Sequence, residues 1–198
     1  MAGFQTKTFQ KHDDYMTPKS AWEAIADYIP DFNLSTNKNY ILWDPFYGDG
    51  ASGTYLKEIK PNNVVIHEDN KDFFEEIKKF QHFGNFQPGA DFSTCIITNP
   101  PFSKCKEILN AIHKAKAPFI MIMPSSKICT QYFRKLFENE EDPIQIIIPR
   151  KRIHFKKLLW DEETEEWKEP LNWKNCCNFD CFYYCWKMNL PRDIVWLK

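Results

Sequence analysis

Tyr40-Ile-Leu-Trp43, followed by Asp44-Pro45-Phe46-Tyr47-Gly48-Asp49-Gly50-Ala51-Ser52-Gly53, is the stretch that decides the fold class. The aromatic and branched run at its start is a strand by composition, and the glycine-dense segment after it is a tight turn. Residues 54–59 then continue as a helix. The same strand-then-helix unit recurs along the chain. Residues 64–67, 93–98, 119–123 and 145–148 read as strands, and residues 72–81, 103–115 and 126–138 read as helices. Strands alternating with helices predict an α/β fold with a mainly parallel sheet covered on both faces. In such sheets ligands bind beyond the C-terminal strand ends.

Outward from this core, residues 15–29 read as a helix, with Thr17 as N-cap and Pro18 at the first helical position. Ala21, Trp22, Ile25, Ala26 and Ile29 form its apolar face. After Pro149 the rhythm changes. Residues 150–157 form a basic edge strand, Trp160 and Trp167 flank an acidic hairpin tip, and residues 178–187 alternate as an antiparallel closing strand would. A length of 198 residues fits one domain: a leading segment 1–39, a core 40–149, and late strands 150–198 with a hairpin at 158–175.

Composition narrows the class. The longest apolar runs, near residues 118–124 and 144–149, are far below the roughly 18 residues that cross a bilayer, so no membrane partner is expected. The first 14 residues lack an apolar signal core, which places the protein in the cytoplasm or nucleus, and the seven cysteines are read as reduced thiols. Residues 1–99 carry 9 Lys+Arg and 14 Asp+Glu, a net of −5; residues 100–198 carry 17 and 13, a net of +4. A near-neutral whole argues against coating nucleic acid by charge alone but permits a local basic face.

The glycine turn contains a formal G-x-G-x-x-G, with Glu68 and Asp69 about 20 residues further on. That pattern raises a nicotinamide enzyme, but Asp44 and Asp49 crowd the place where a pyrophosphate needs bare amides. S-adenosylmethionine carries an ammonium and a sulfonium instead of phosphates, so the same carboxylates become favourable partners. Glu68 or Asp69 would then accept from the ribose hydroxyls. The bland alternative is a glycine turn with solvated acids.

A second motif, Thr98-Asn99-Pro100-Pro101-Phe102, closes a later strand. Two prolines stiffen the loop and hold Asn99 extended, so its amide and the neighbouring carbonyls point in set directions. Such acceptors grip an exocyclic amino group by its hydrogens and turn its lone pair toward an electrophilic methyl, while Phe102 stacks on the base.

Taken together, the chain resembles the amino-group methyltransferases that modify adenine N6 in nucleic acids, a branch of the S-adenosylmethionine-dependent Rossmann-like enzymes, in particular their small phage and viral members. Tyr15-Met16-Thr17-Pro18 looks like their Thr-Pro motif beside the methionine end of the cofactor, 44–50 like the cofactor loop, and 99–102 like the catalytic tetrapeptide. The resemblance implies a Rossmann-like methyltransferase fold with an antiparallel C-terminal strand. It also implies catalytic Asn99, Pro100, Pro101 and Phe102, and a cofactor site of Tyr15, Thr17, Pro18, Asp44, Pro45, Phe46, Gly48, Gly50, Glu68 and Asp69, with Asp72 and Phe73 at the adenine ring. Asn-Pro-Pro-aromatic also occurs in enzymes acting on guanine N2 of RNA or on glutamine amides, and a non-catalytic nucleic-acid-binding subunit of the same fold is a further alternative. The large target-recognition region of sequence-specific DNA enzymes has no counterpart here. The target, DNA or RNA, would be read through the hairpin and basic strand, or through a protein partner.

Arg150, Lys151, Arg152, His154, Lys156 and Lys157 are candidate phosphate contacts. Cys176, Cys177, Cys181 and Cys185 lack paired C-x-x-C spacing, so no metal is expected. Trp160, Trp167 and Trp173 suit cross-strand packing better than base stacking.

Overall fold

The computed structural model describes residues 13, 15–31, 39–83, 92–157, 159–161, 166–168 and 179–198. Seven strands form the main sheet: β2 (Asn39–Trp43), β3 (Val64–Ile66), β4 (Phe92–Thr98), β5 (Phe119–Pro124), β6 (Gln145–Ile148), β10 (Cys181–Trp186) and β11 (Ile194–Trp196). Their order is β11-β6-β10-β5-β4-β2-β3. Strands β2, β3, β4 and β5 pair in parallel, β10 is antiparallel to both β5 and β6, and β11 is parallel to β6. The mixed α/β, mainly parallel sheet is the expected architecture.

Consecutive strand residues point to opposite faces, and here both faces are covered. Leu42, Ile97, Ile120, Ile147 and Tyr183 pack with Trp22, Ile25 and Leu56. Trp43, Ile96, Met121, Ile146 and Tyr184 pack with Ile108, Leu109, Ile112 and Phe133. The first face carries α1 (Lys19–Glu23) and α2 (Ala51–Ile59); the second carries α3 (Phe73–Phe83), α4 (Cys105–Ala115) and α5 (Gln131–Phe137). Two-sided burial is why β5 is buried at every position rather than alternating.

Several expectations are corrected. Residues Tyr15–Met16 form a short strand, β1, paired antiparallel with β7 (Lys156–Lys157), and the helix starts only at Lys19. Pro18 is itself the N-cap, extended at ψ 149°, and Thr17 makes no capping bond. The chain breaks again after Glu23 into a 3-10 turn, Ala26–Tyr28. Residues 126–138 are not one helix: Thr130 is extended, at φ −82° and ψ 143°, between a 3-10 turn Ser125–Cys129 and α5. Of the basic run only Lys156–Lys157 is strand; residues 150–155 are non-strand, although Ile153 and Phe155 are buried on either side of exposed His154.

The aromatic strand β10 lies inside the sheet, not at its border, so five of its six residues are buried. Its tyrosines are satisfied on opposite faces: Tyr183 donates to the Ala21 carbonyl at 2.7 Å, and Tyr184 reaches the carbonyls of Pro124 and Ser125, each at 3.0 Å. At the edge stands β11, a strand with no counterpart among the expected elements. A hairpin does form, from β8 (Leu159–Asp161) and β9 (Glu166–Lys168), with Trp160 opposite Trp167 in register. Trp173, Cys176 and Cys177 lie outside the described residues. Cys181 and Cys185 are buried thiols on the α1 face, and burial pushes the Cys185 thiol far up. No helix among the described residues is long and apolar enough to cross a membrane.

Gly53 sets how closely α2 meets the sheet: a Cβ there would lie 2.4–2.6 Å from the His67 side chain. Gly53→Ala should therefore cost about 1–3 kcal/mol by overpacking, outweighing the roughly 1 kcal/mol that alanine contributes in an unobstructed helix. The check is a thermal melt, in which the net loss of up to about 2 kcal/mol lowers Tm by up to roughly 8 °C; a raised Tm would show that the His67 contact is slack.

Candidate active site

A cleft of about 320 Å³ opens at the C-terminal ends of β2, β3 and β4, where a sheet of this kind is expected to bind ligands. Its floor is the 44–50 turn. Gly48 and Gly50 have φ of +59° and +79°, a region open to glycine, and the Gly50 amide donates to the Tyr47 carbonyl at 2.9 Å. A Cβ on Gly48 would lie 2.9 Å from the Met16 sulfur, so β1 closes directly on this turn. The Ala51 amide at the start of α2 is already capped by Asp49 Oδ1 at 3.1 Å. That carboxylate occupies the position a phosphate would need.

Asp44 is buried beneath the cleft at 1% exposure. Thr98 Oγ1, from the end of β4, donates to its Oδ1 at 2.5 Å. His67, from the end of β3, donates from Nδ1 to the Asp44 carbonyl oxygen at 3.1 Å and lies 3.3 Å from Oδ2. Oδ2 itself has no hydrogen bond among the described residues. Burial is the largest influence on the His67 imidazole and pushes it down, but the adjacent Asp44 carboxylate and carbonyl together outweigh it and leave it raised. Tyr47 stacks on the same ring at 4.8 Å.

Asn99 sits where β4 ends. Its Nδ2 donates to the Tyr15 carbonyl at 2.7 Å, and because a carbonyl can only accept, the amide's orientation is settled. Oδ1 is thereby turned away, buried and without a partner among the described residues. The Thr17 hydroxyl is likewise buried and unpartnered. A second tie joins the N-terminal segment to the 99–103 loop: Asp13 accepts from the Ser103 amide at 3.0 Å and from its hydroxyl.

Of the residues expected at the cofactor, Tyr15, Thr17, Asp44, Pro45, Phe46, Gly48, Glu68 and Asp69 line the cleft, as do Asn99 and Pro101 of the expected catalytic set. The rest fall elsewhere. Pro18 faces a separate groove, and Gly50 shapes the turn. Asp72 caps α3 by accepting from the Glu75 amide at 3.0 Å. Phe73 is core, packed on Trp43 and Phe46, and lines a side pocket of about 40 Å³ that shares Pro45, Glu68 and Lys71 with the cleft. Pro100 is buried, and Phe102 joins an aromatic cluster, 6.2 Å from Tyr15 and 5.5 Å from Phe179.

Asp13, Met16, Tyr47, Ser52, Asn70 and Lys71 line the cleft beyond the expected site residues. Asp13 carries no sequence signal; it is the first of two adjacent acids, and its contacts come from a distant loop. His67 was legible only as the last residue of a strand. Asp13, Asp44, Asp49, Glu68 and Asp69 outnumber Lys71, so the cleft is acidic and suited to a cationic ligand. No protein-family model matches the chain, and no curated protein is significantly similar to it.

The imidazolium form of His67 is favoured by folding, so its contribution to stability is complete below its ordinary value of 6.5 and is lost as pH rises through the raised folded value. The stability of wild type over His67→Gln, read from urea midpoints between pH 5 and 9, should be greatest at the acid end and shrink upward. A difference that grows with pH would contradict the Asp44–His67 pairing.

Proposed function

We propose that the protein is an S-adenosylmethionine-dependent methyltransferase acting on the exocyclic N6 amino group of adenine in DNA or RNA. The observation that carries this reading is Asn99: its amide nitrogen is committed to the Tyr15 carbonyl, and the buried carbonyl oxygen is left without a partner at the end of β4. A buried acceptor without a donor is costly, and an amino group entering the cleft relieves that cost.

The cleft fits the cofactor on its own chemistry. Asp44 holds a buried carboxylate oxygen that accepts no hydrogen bond among the described residues and has only His67 Nδ1 near it, at 3.3 Å, the glycine turn allows close backbone approach, and the surplus of acids suits an ammonium and a sulfonium. Asp49 closing the helix start disfavours a pyrophosphate and hence a nicotinamide enzyme. The antiparallel β10 between parallel β5 and β6 also agrees with the Rossmann-like methyltransferase arrangement that the motifs imply.

In this reading Tyr15, Thr17, Asp44 and Phe46 hold the methionine portion, and Glu68 or Asp69 the ribose. When bound, S-adenosylmethionine supplies an electrophilic methyl group on a sulfonium. The chain's own part is to orient and desolvate. Asn99 Oδ1 accepts one amino hydrogen and the Pro100 carbonyl the other, which draws the nitrogen lone pair out of conjugation. A neutral amide is no base, so the proton leaves to solvent after transfer. Catalysis is then mainly positioning.

The test is transfer of labelled methyl to adenine-containing single-stranded DNA, duplex DNA and RNA, with nucleoside mass spectrometry. Wild type should form N6-methyladenine, and Asn99→Ala should lose about 100-fold or more in rate with cofactor binding retained. Cofactor binding without transfer to any polymer would point instead to a missing partner or a protein amide acceptor. By calorimetry, Asp44→Asn should weaken S-adenosylmethionine binding about 10- to 100-fold, the worth of a charged hydrogen bond. Unchanged affinity would remove Asp44 from the site.

A further inference from the structure

Beneath the acidic cleft, His67 stands against the Asp44 carboxylate, with Nδ1 3.3 Å from Oδ2. Both side chains are almost fully buried, at 4% and 2% exposure, so salt screens their charges far less than it screens those at the rim. Asp44 lines the cleft, whereas His67 lies behind it. Tyr47 stacks on one side of the imidazole at 4.8 Å, and α2 meets the ring at Gly53.

The ring's hydrogen bonds say where its proton comes and goes. Nδ1 donates to the Asp44 carbonyl, which can only accept, so Nδ1 carries a hydrogen in both charge states. Ionisation therefore takes place at Nε2, which is buried and has no partner among the described residues. Protonation puts a positive charge beside Asp44 but creates a buried N–H without an acceptor. The neutral ring avoids that N–H but leaves the carboxylate uncompensated. Burial, the largest influence, favours the neutral ring; the Asp44 carboxylate and carbonyl together outweigh it, and Lys57, one turn beyond Gly53 on α2, acts with burial. The remaining charges about the floor, Asp49, Glu68, Asp69 and Lys71, are exposed.

The buried pair thus carries a charge of −1 or of 0, and the difference is one proton on Nε2. A cation in the cleft is attracted by the first state and not by the second. A positively charged ligand and the His67 proton therefore compete for one carboxylate. Linked equilibria are reciprocal, so each weakens the other by the same factor.

We propose that His67 is a positioning residue for the cationic cofactor, acting through Asp44: the cofactor binds with the ring neutral, and its arrival releases the Nε2 proton to solvent. The inference rests on the S-adenosylmethionine reading of the cleft, and its tests need no methyl transfer.

The experiment is calorimetry of wild type with S-adenosylmethionine between about pH 5.5 and 7.5, below the range near 8 where the ligand's own α-amino group titrates. Two buffers of different ionisation enthalpy at each pH count the protons released. Affinity should rise with pH by up to about 10-fold, with a fraction of a proton released on binding. NMR titration of the His67 ring should then give a pKa up to about one unit lower in the complex than in the free protein, because tenfold in affinity is one unit. 5′-Methylthioadenosine, which has neither the ammonium nor the sulfonium, should bind independently of pH and release no proton.

His67→Asn keeps a neutral donor near the Asp44 carbonyl, and its affinity for S-adenosylmethionine should be flat over the same window. The wild-type proton count and ring titration decide the matter even if this variant is unstable. Affinity that is constant or falls with rising pH, a His67 pKa that the cofactor leaves in place, or an equal pH dependence for 5′-methylthioadenosine or for folded His67→Asn overturns the proposal. Binding of S-adenosylmethionine without proton release defeats this inference alone. Absence of binding at every pH defeats the cofactor reading and this inference with it.

Discussion

A carboxylate taken out of water must be met by donors where it stands, and the region around the cleft is arranged about that requirement at Asp44. Thr98 reaches it from β4 and His67 from the end of β3, so three neighbouring strands are tied at their C-terminal ends by one side chain. His67 in turn limits what can stand above it, and only glycine at position 53 lets α2 come down onto the ring. The cleft therefore has a rigid floor. Of the two carboxylate oxygens, Oδ1 accepts from Thr98, and Oδ2 accepts no hydrogen bond among the described residues and has His67 Nδ1 3.3 Å away.

The cleft's other wall comes from far away in the chain. Tyr15 and Met16 form a two-residue strand that could not persist alone. It is held by β7, by the contact between Met16 and the Gly48 turn, and by the Asn99 amide. Asp13 extends the tie to Ser103. The N-terminal segment thus orients the Asn99 side chain, and the same strand pairing brings the basic segment up to the cleft.

Much of the fold was legible because its periodicities are local. Strands β2 to β6 and the helices α2 to α4 fall close to where apolar runs and helical spacing place them, since a two-sided parallel sheet demands near-continuous apolar strands. The departures have physical causes as well. Residues 15–29 have helical spacing, but Pro18 is extended and Tyr15 has a better backbone partner in Lys157. Thr130 divides what looks like one helix because its hydroxyl donates to the Lys127 carbonyl at 2.7 Å, closing the preceding turn. The aromatic strand was legible as antiparallel, but its central place was not, because position within a sheet depends on partners distant in sequence.

The sequence by itself determined the alternating α/β architecture, the glycine turn with its acids, and the Asn-Pro-Pro-Phe loop, all of which follow from near-neighbour sterics and side-chain chemistry. Only the tertiary structure decided that Phe73 is core and Asp72 a helix cap, that Asp13 lines the cleft, and that His67 meets Asp44 beneath it. Each of those outcomes depends on a contact between residues far apart in the chain, and spacing along a sequence carries no information about such contacts until the sheet order is set.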